Sequence, residues 1–108
     1  MTSQQSIGNL IADRYAYALY ELSSKKKCVD AILSDLKIIQ NYFNQNKDFK
    51  LLIISPLIAS SAKLLIVEKL LLDDVSDILT ITFLKVIAKN KRFASLSSII
   101  SRFVHINS

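Results

Sequence analysis

Few residues in this chain have the types and spacing that chemistry needs. His105 is the single histidine and Cys28 the single cysteine. One of each cannot build a zinc site, and neither stands in a pattern that pairs a nucleophile with its base. The lone glycine, Gly8, excludes a glycine-rich phosphate loop. Asp73, Asp74 and Asp77 lie close in sequence but lack the spaced ligands and turn glycine of a calcium loop; they read as turn and capping residues. Cys28 follows Lys25-Lys26-Lys27, and those cations are expected to favour its thiolate. No resolving cysteine or partner base accompanies it. No catalytic residue, metal ligand or cofactor site can be named, so an enzyme is the least supported class.

Binding remains. The net charge of +5 keeps nucleic acid and membrane surfaces in view as partners. The basic residues are scattered, however, and the lysine run reads as a solvated helix end set against the C-terminal dipole. Tyr15, Tyr17 and Tyr20 point in different directions around one helix rather than forming a base-stacking platform. Tyr15 belongs to an apolar stripe; Tyr17 and Tyr20 are expected to cover surface. The most apolar long uncharged run, residues 51–62, contains Pro56 and falls short of the roughly 20 residues that cross a bilayer. Residues 1–6 carry no signal-peptide or Arg-rich transit pattern, and the lone cysteine fits a reducing compartment. A soluble product is expected.

The elements that would position any binding residues are helices. With one Gly and one Pro among 108 residues, 51% of them hydrophobic, the chain has too few breakers for a strand-rich domain. Helical spacing of apolar residues predicts one all-α domain with six helices. The first covers 7–22 and the second 29–43, the latter with Val29, Ile32, Leu33, Leu36, Ile39 and Phe43 on its stripe and Asp30, Asp35 and Lys37 off it. Asn44-Gln45-Asn46 ends it. A third helix over 47–54 stops at Ser55-Pro56. A fourth, capped by Ser60 or Ser61, runs to residue 72; a fifth covers 75–89 after the Asp73-Asp74 turn; a sixth starts near Ala94.

Two of these helices are too apolar for one packing job. On the first, Ile7, Ile11, Tyr15, Ala18 and Leu22 form one stripe, and Ala12, Ala16 and Leu19 form a second beside it. Asn9, Asp13, Arg14 and Glu21 are left for water. On the fifth, Ile78, Leu79, Ile81, Phe83, Leu84, Val86, Ile87 and Ala88 surround most of the circumference. Thr82, Lys85 and Lys89 crowd into a narrow strip. Such a helix is either central or has a second partner.

Three motifs carry a resemblance. Arg14-Tyr15-Ala16-Tyr17-Ala18-Leu19-Tyr20, Ser55-Pro56-Leu57-Ile58, and Phe83 to Ala88 followed by Lys89-Asn90-Lys91-Arg92 stand in the order and at the spacing seen in one family. From about Ile7 to Phe103 the chain resembles the N-terminal domain of the delta subunit of F-type ATP synthase, homologous to the mitochondrial oligomycin-sensitivity-conferring protein. Lys91 stands where the family has glycine; if that position is left-handed, the substitution costs up to about 1 kcal/mol. Asn90 is the alternative carrier of that conformation. The family's C-terminal, stalk-binding domain has no counterpart here, so the chain is expected to be part of a longer protein. Contact with the peripheral-stalk b subunits is expected only through that missing part.

The resemblance implies a six-helix bundle seated on the catalytic head. It also implies a groove between helices one and five that takes the amphipathic N-terminal helix of an alpha subunit. The role is mechanical: a stator component that holds head and stalk together during proton-driven ATP synthesis, with no cofactor and no nucleic acid. The implied location is peripheral, at the cytoplasmic face of a bacterial inner membrane, touching the membrane only through the complex. Tyr15, Ala18 and Val86 match the family's groove positions. Helical projection adds Leu22, Leu79 and Phe83. Two alternatives stand beside this reading: a helical adaptor for some other amphipathic helix, and a small basic nucleic-acid-binding domain, whose affinity would fall steeply with salt.

Overall fold

The computed structural model describes the backbone of residues 3–72 and 77–108 and the side chains of residues 10–71 and 77–108. The described residues form six α-helices: α1 (Ser3–Lys25), α2 (Val29–Gln45), α3 (Lys47–Ile54), α4 (Ser60–Leu72), α5 (Ile78–Lys89) and α6 (Leu96–Asn107). A 3-10 turn, Phe93–Ser95, leads into α6 where the sequence suggested that the helix itself began. The all-α expectation holds. Ile7's side chain, the Asp73-Asp74 turn and the expected start of the fifth helix at Val75 lie outside the described residues.

Local chemistry sets most of the boundaries. Asn46 ends α2 through its backbone N–H, which donates to Tyr42 O. Its side chain then accepts from Phe49 N at 2.9 Å and caps α3, so one asparagine serves two helix ends. Asp77 caps α5 in the same manner, accepting from Leu79 N at 2.9 Å. For α4 the expectation changes. Ala59, not Ser60 or Ser61, stands at the N-cap position, its carbonyl accepting from Ala62 N and Lys63 N. The serine that helps is Ser55, whose hydroxyl accepts from Leu57 N across the proline turn.

Two helices end on left-handed lysines. Lys27 has φ 57° and Lys91 φ 56°, while Asn90 stays at φ −88°. At α1, Cys28 N donates to Ser23 O and Lys27 N to Ser24 O; at α5, Arg92 N donates to Ile87 O and Lys91 N to Ala88 O. Both are Schellman motifs with lysine in the place that glycine normally takes. Asn90 therefore does not relieve the missing glycine. The paired carbonyl bonds hold the turn in spite of the Cβ.

The core is built around α2 and α6. Ile32, Leu36 and Ile39 of α2 and Leu96, Ile99, Ile100 and Phe103 of α6 are fully enclosed. α1 packs chiefly along α6, whereas α5 packs on α4 and α2. Helix five is thus not the central element that its all-round apolar surface allowed. It buries Leu79, Thr80, Phe83, Leu84 and Ile87 and leaves Ile78 and Val86 exposed.

Three polar or aromatic residues read as surface sit elsewhere. Tyr20 is half-buried, edge-on to Phe103 with ring centroids 5.6 Å apart. Asp13 pairs with Arg102 across α1 and α6, Nε to Oδ1 at 2.6 Å, and Arg102 also lies 5.6 Å from the ring centre of the exposed Tyr17. Asp35 is buried at 2% exposure. Its Oδ2 accepts from Thr80 Oγ1 at 2.6 Å and from Asp77 N at 3.0 Å, which places an anion at the N-terminus of α5. Its spacing carried a signal: three residues after Ile32 and four before Ile39, it shares their face.

Candidate functional site

The two apolar stripes of α1 divide between two tasks. Ala12, Ala16 and Leu19 turn into the bundle, and with Ala12 and Ala16 as small side chains α1 can lie close along α6. Ile11 and Tyr15 are half-buried, and Ala18 and Leu22 are exposed. This stripe faces α5 across a groove of about 430 Å³. All six residues singled out in the sequence, Tyr15, Ala18, Leu22, Leu79, Phe83 and Val86, line it.

Their exposures separate floor from lip. Leu79 and Phe83 are 7% and 8% exposed and form the floor, whereas Leu22 and Val86, at 41% and 42%, stand on opposite edges. α1 and α5 have few backbone contacts with each other, which leaves room between them. One end is braced. Tyr15 meets Phe83 edge-on at 6.3 Å, and its hydroxyl accepts from Asn90 Nδ2 at 2.8 Å. These contacts tie the two walls together at that end. The small Ala18 opens the middle of the α1 wall.

Sequence reasoning missed several liners. Ile11 and Leu19 extend the α1 wall, Thr82 contributes to the α5 side, and Arg14 and Arg92 complete the lining. Thr82 belongs to the polar strip of α5, but its hydroxyl donates back to Ile78 O at 2.9 Å and is satisfied within the helix. From Ile11 to Leu22 the α1 wall is roughly 16 Å long, about three helical turns. An extended apolar trough of that length, with no carboxylate among the described residues that line it, suits a rod-shaped apolar ligand.

Neither of the other reactive groups belongs to this site. Cys28 is half-buried at the end of α1; burial pushes its thiol up from 9.0, Asp77 adds to the rise, and Lys26 only partly offsets it. The expected thiolate is therefore corrected, because desolvation outweighs the lysine. Lys63 is outside the groove lining; its Nζ donates to Ser55 O at 2.7 Å and burial lowers its pKa. Among the described residues no group of three His, Cys, Asp or Glu is placed to hold a metal.

Comparison with known proteins converges on one family. The profile of the ATP synthase delta (OSCP) subunit family matches residues 11–108. The chain is 35% identical over 104 residues to the chloroplastic ATP synthase subunit delta of Gracilaria tenuistipitata var. liui, covering 96% of this chain and 56% of that protein. It is 34% identical over 102 residues to ATP synthase subunit delta of Sinorhizobium medicae, covering 94% and 53%. With the subunit delta of Carboxydothermus hydrogenoformans it shares 32% identity over 93 residues, covering 86% and 51%. The chain spans about half the length of the curated relatives it matches.

Proposed function

The chain belongs to the ATP synthase delta (OSCP) subunit family, and from that premise we propose that it is a non-catalytic stator component whose α1–α5 groove receives the N-terminal helix of an alpha subunit. Bound there, it links the catalytic head to the peripheral stalk, so that rotation of the central shaft does not carry the head with it. The observation that carries this reading is the groove itself. Two helices with more apolar surface than the core consumes turn that surplus toward each other, and Leu79, Phe83 and Tyr15 line the space between them.

A helix-in-groove contact suits a mechanical joint. Anchors at i, i+3 or i+4, and i+7 bury apolar area along the trough, and the trough demands no buried charge from them. Contact with the peripheral-stalk b subunits is assigned to a part of the family outside these residues. No helix of the described residues is long and apolar enough to cross a membrane. We place the protein peripherally, at the cytoplasmic face of a bacterial inner membrane, in keeping with its bacterial relatives; the plastid relative marks the alternative compartment.

The test is a titration of the isotope-labelled chain with a synthetic peptide of an alpha-subunit N-terminus, followed by NMR. The expected outcome is saturable shifts at Tyr15, Ala18, Leu79, Phe83 and Val86. Shifts confined to α2 and α3, or no binding up to tens of micromolar, contradict the assignment. Affinity that falls steeply with added salt and responds to DNA or RNA instead supports the nucleic-acid alternative.

A further inference from the structure

The groove is apolar along its length but charged at one end. Arg14 lies beside Tyr15 on α1, and Arg92 follows α5 two residues beyond Asn90, the partner of the Tyr15 hydroxyl. Both arginines line the groove and both are exposed. Among the described residues no carboxylate lines it. Among the described residues neither arginine has an ion-pair partner; the described ion pair joins Arg102 to Asp13. Among the described residues the groove lining at the opposite end, Leu22 and Leu79, is uncharged; Lys25 follows about one turn beyond Leu22 and Asp77 precedes Leu79, both outside the lining. The α5 C-terminal dipole amounts to about half an elementary charge and so offsets only part of the charge of the two guanidinium groups.

We propose that Arg14 and Arg92 read a carboxylate at one end of the bound helix and thereby set the direction in which that helix lies. This rests on the reading of the groove as a helix-binding site and adds what its apolar residues cannot supply. A stripe of apolar anchors is nearly symmetric under reversal, so Leu79, Phe83 and Val86 accept a helix running either way. A charge at one end breaks that symmetry. A helix laid backwards leaves both arginines unpaired and brings its carboxylate to a lining that offers no guanidinium, and the cost of that mismatch provides the discrimination. Because the guanidinium groups sit at the rim in water, their effect falls on orientation, association rate and salt response more than on total affinity.

The experiment uses three designed amphipathic helices with one common apolar face: one with two Glu in its first turn, one with two Glu in its last turn, and one with Gln at all four positions. Each carries a nitroxide at its N-terminus, and the alpha-subunit peptide is titrated in parallel. The first-turn Glu helix is expected to broaden the amide signals of Tyr15 and Asn90. The last-turn Glu helix should broaden those of Leu22 and Leu79. Both should bind about fivefold tighter than the Gln helix at low salt, the scale of exposed ion pairs. In an Arg14→Gln, Arg92→Gln double variant, which alters only exposed side chains, the two Glu helices should lose that advantage and their fixed direction. One orientation for both Glu helices, or equal binding of Glu and Gln helices, overturns the proposal while binding of the alpha peptide leaves the functional reading intact. Failure of the alpha peptide and of all three helices to bind overturns both.

Discussion

Replacing Asp35 with Ala removes the anchor that holds one wall of the groove in place. Asp35 sits on α2, is 2% exposed, and accepts from Thr80 Oγ1 at 2.6 Å and Asp77 N at 3.0 Å. Thr80 is fully enclosed, so its hydroxyl finds no water when the carboxylate goes. A hydrogen bond to a charged acceptor contributes about 1.5–3 kcal/mol, and a buried donor left alone bears most of that loss. Asp77 is half-buried and can be rehydrated, so its amide adds roughly 1 kcal/mol. The charge near the α5 N-terminus contributes another few tenths. Against these stands the desolvation that Asp35 no longer bears, which trims the sum. The expected net loss is about 3 kcal/mol, a drop in Tm of roughly 15 °C for a domain of this size.

Urea and thermal unfolding followed by circular dichroism measure it. Asp35→Asn keeps the shape and one carbonyl acceptor and should cost about 1 kcal/mol, mainly the lost charge. The double-mutant cycle with Thr80→Val isolates the pair, and the two changes should couple by more than about 1 kcal/mol because they share one contact. An Asp35→Ala loss below about 1 kcal/mol, together with additive behaviour in the cycle, refutes the view that this carboxylate fixes α5.

Ala18→Trp should abolish binding of the alpha peptide while shifting Tm by no more than about 3 °C, since Ala18 is exposed and its substitution touches no core contact; calorimetry and thermal unfolding separate the two effects. Lys27→Gly and Lys91→Gly should each stabilise the fold by about 0.5–1 kcal/mol, the relief of a left-handed Cβ less the entropy that glycine adds to the unfolded chain. Denaturant titration checks both, and a loss of stability in both variants contradicts the Schellman assignment. Cys28 should react slowly with iodoacetamide near neutrality, its rate climbing only above pH 9.0 because burial holds the thiol protonated. The folded state keeps that proton longer than the unfolded chain does. Its contribution to stability is therefore flat well below pH 9.0 and declines as pH rises through and past that value.

Much of this molecule is written in short-range pattern. The scarcity of glycine and proline and the 3.6-residue spacing of apolar residues specify helices, and Ser55-Pro56 and Asn46 end or start them by chemistry that acts within a few residues. For that reason α3 begins and ends where its sequence says, and the surplus apolar faces of α1 and α5 are visible before any fold is known. A helical projection, however, shows only that a face is apolar, not what covers it. Tertiary packing buried Ala12 and Ala16, left Leu19 buried at the edge of the groove, and left Tyr15, Ala18 and Leu22 lining it. It also brought together residues whose meeting has no local signature: Tyr15 with Asn90, and Asp35 with Thr80 and the α5 N-terminus. Lys91 rather than Asn90 took the left-handed turn because the paired carbonyl bonds at the end of α5 fix that position regardless of which residue tolerates it best. Periodicity governs which surfaces exist, since backbone hydrogen bonding is local. Which of those surfaces meet depends on how six helices share one core, and that sharing gave α1 and α5 a space between them.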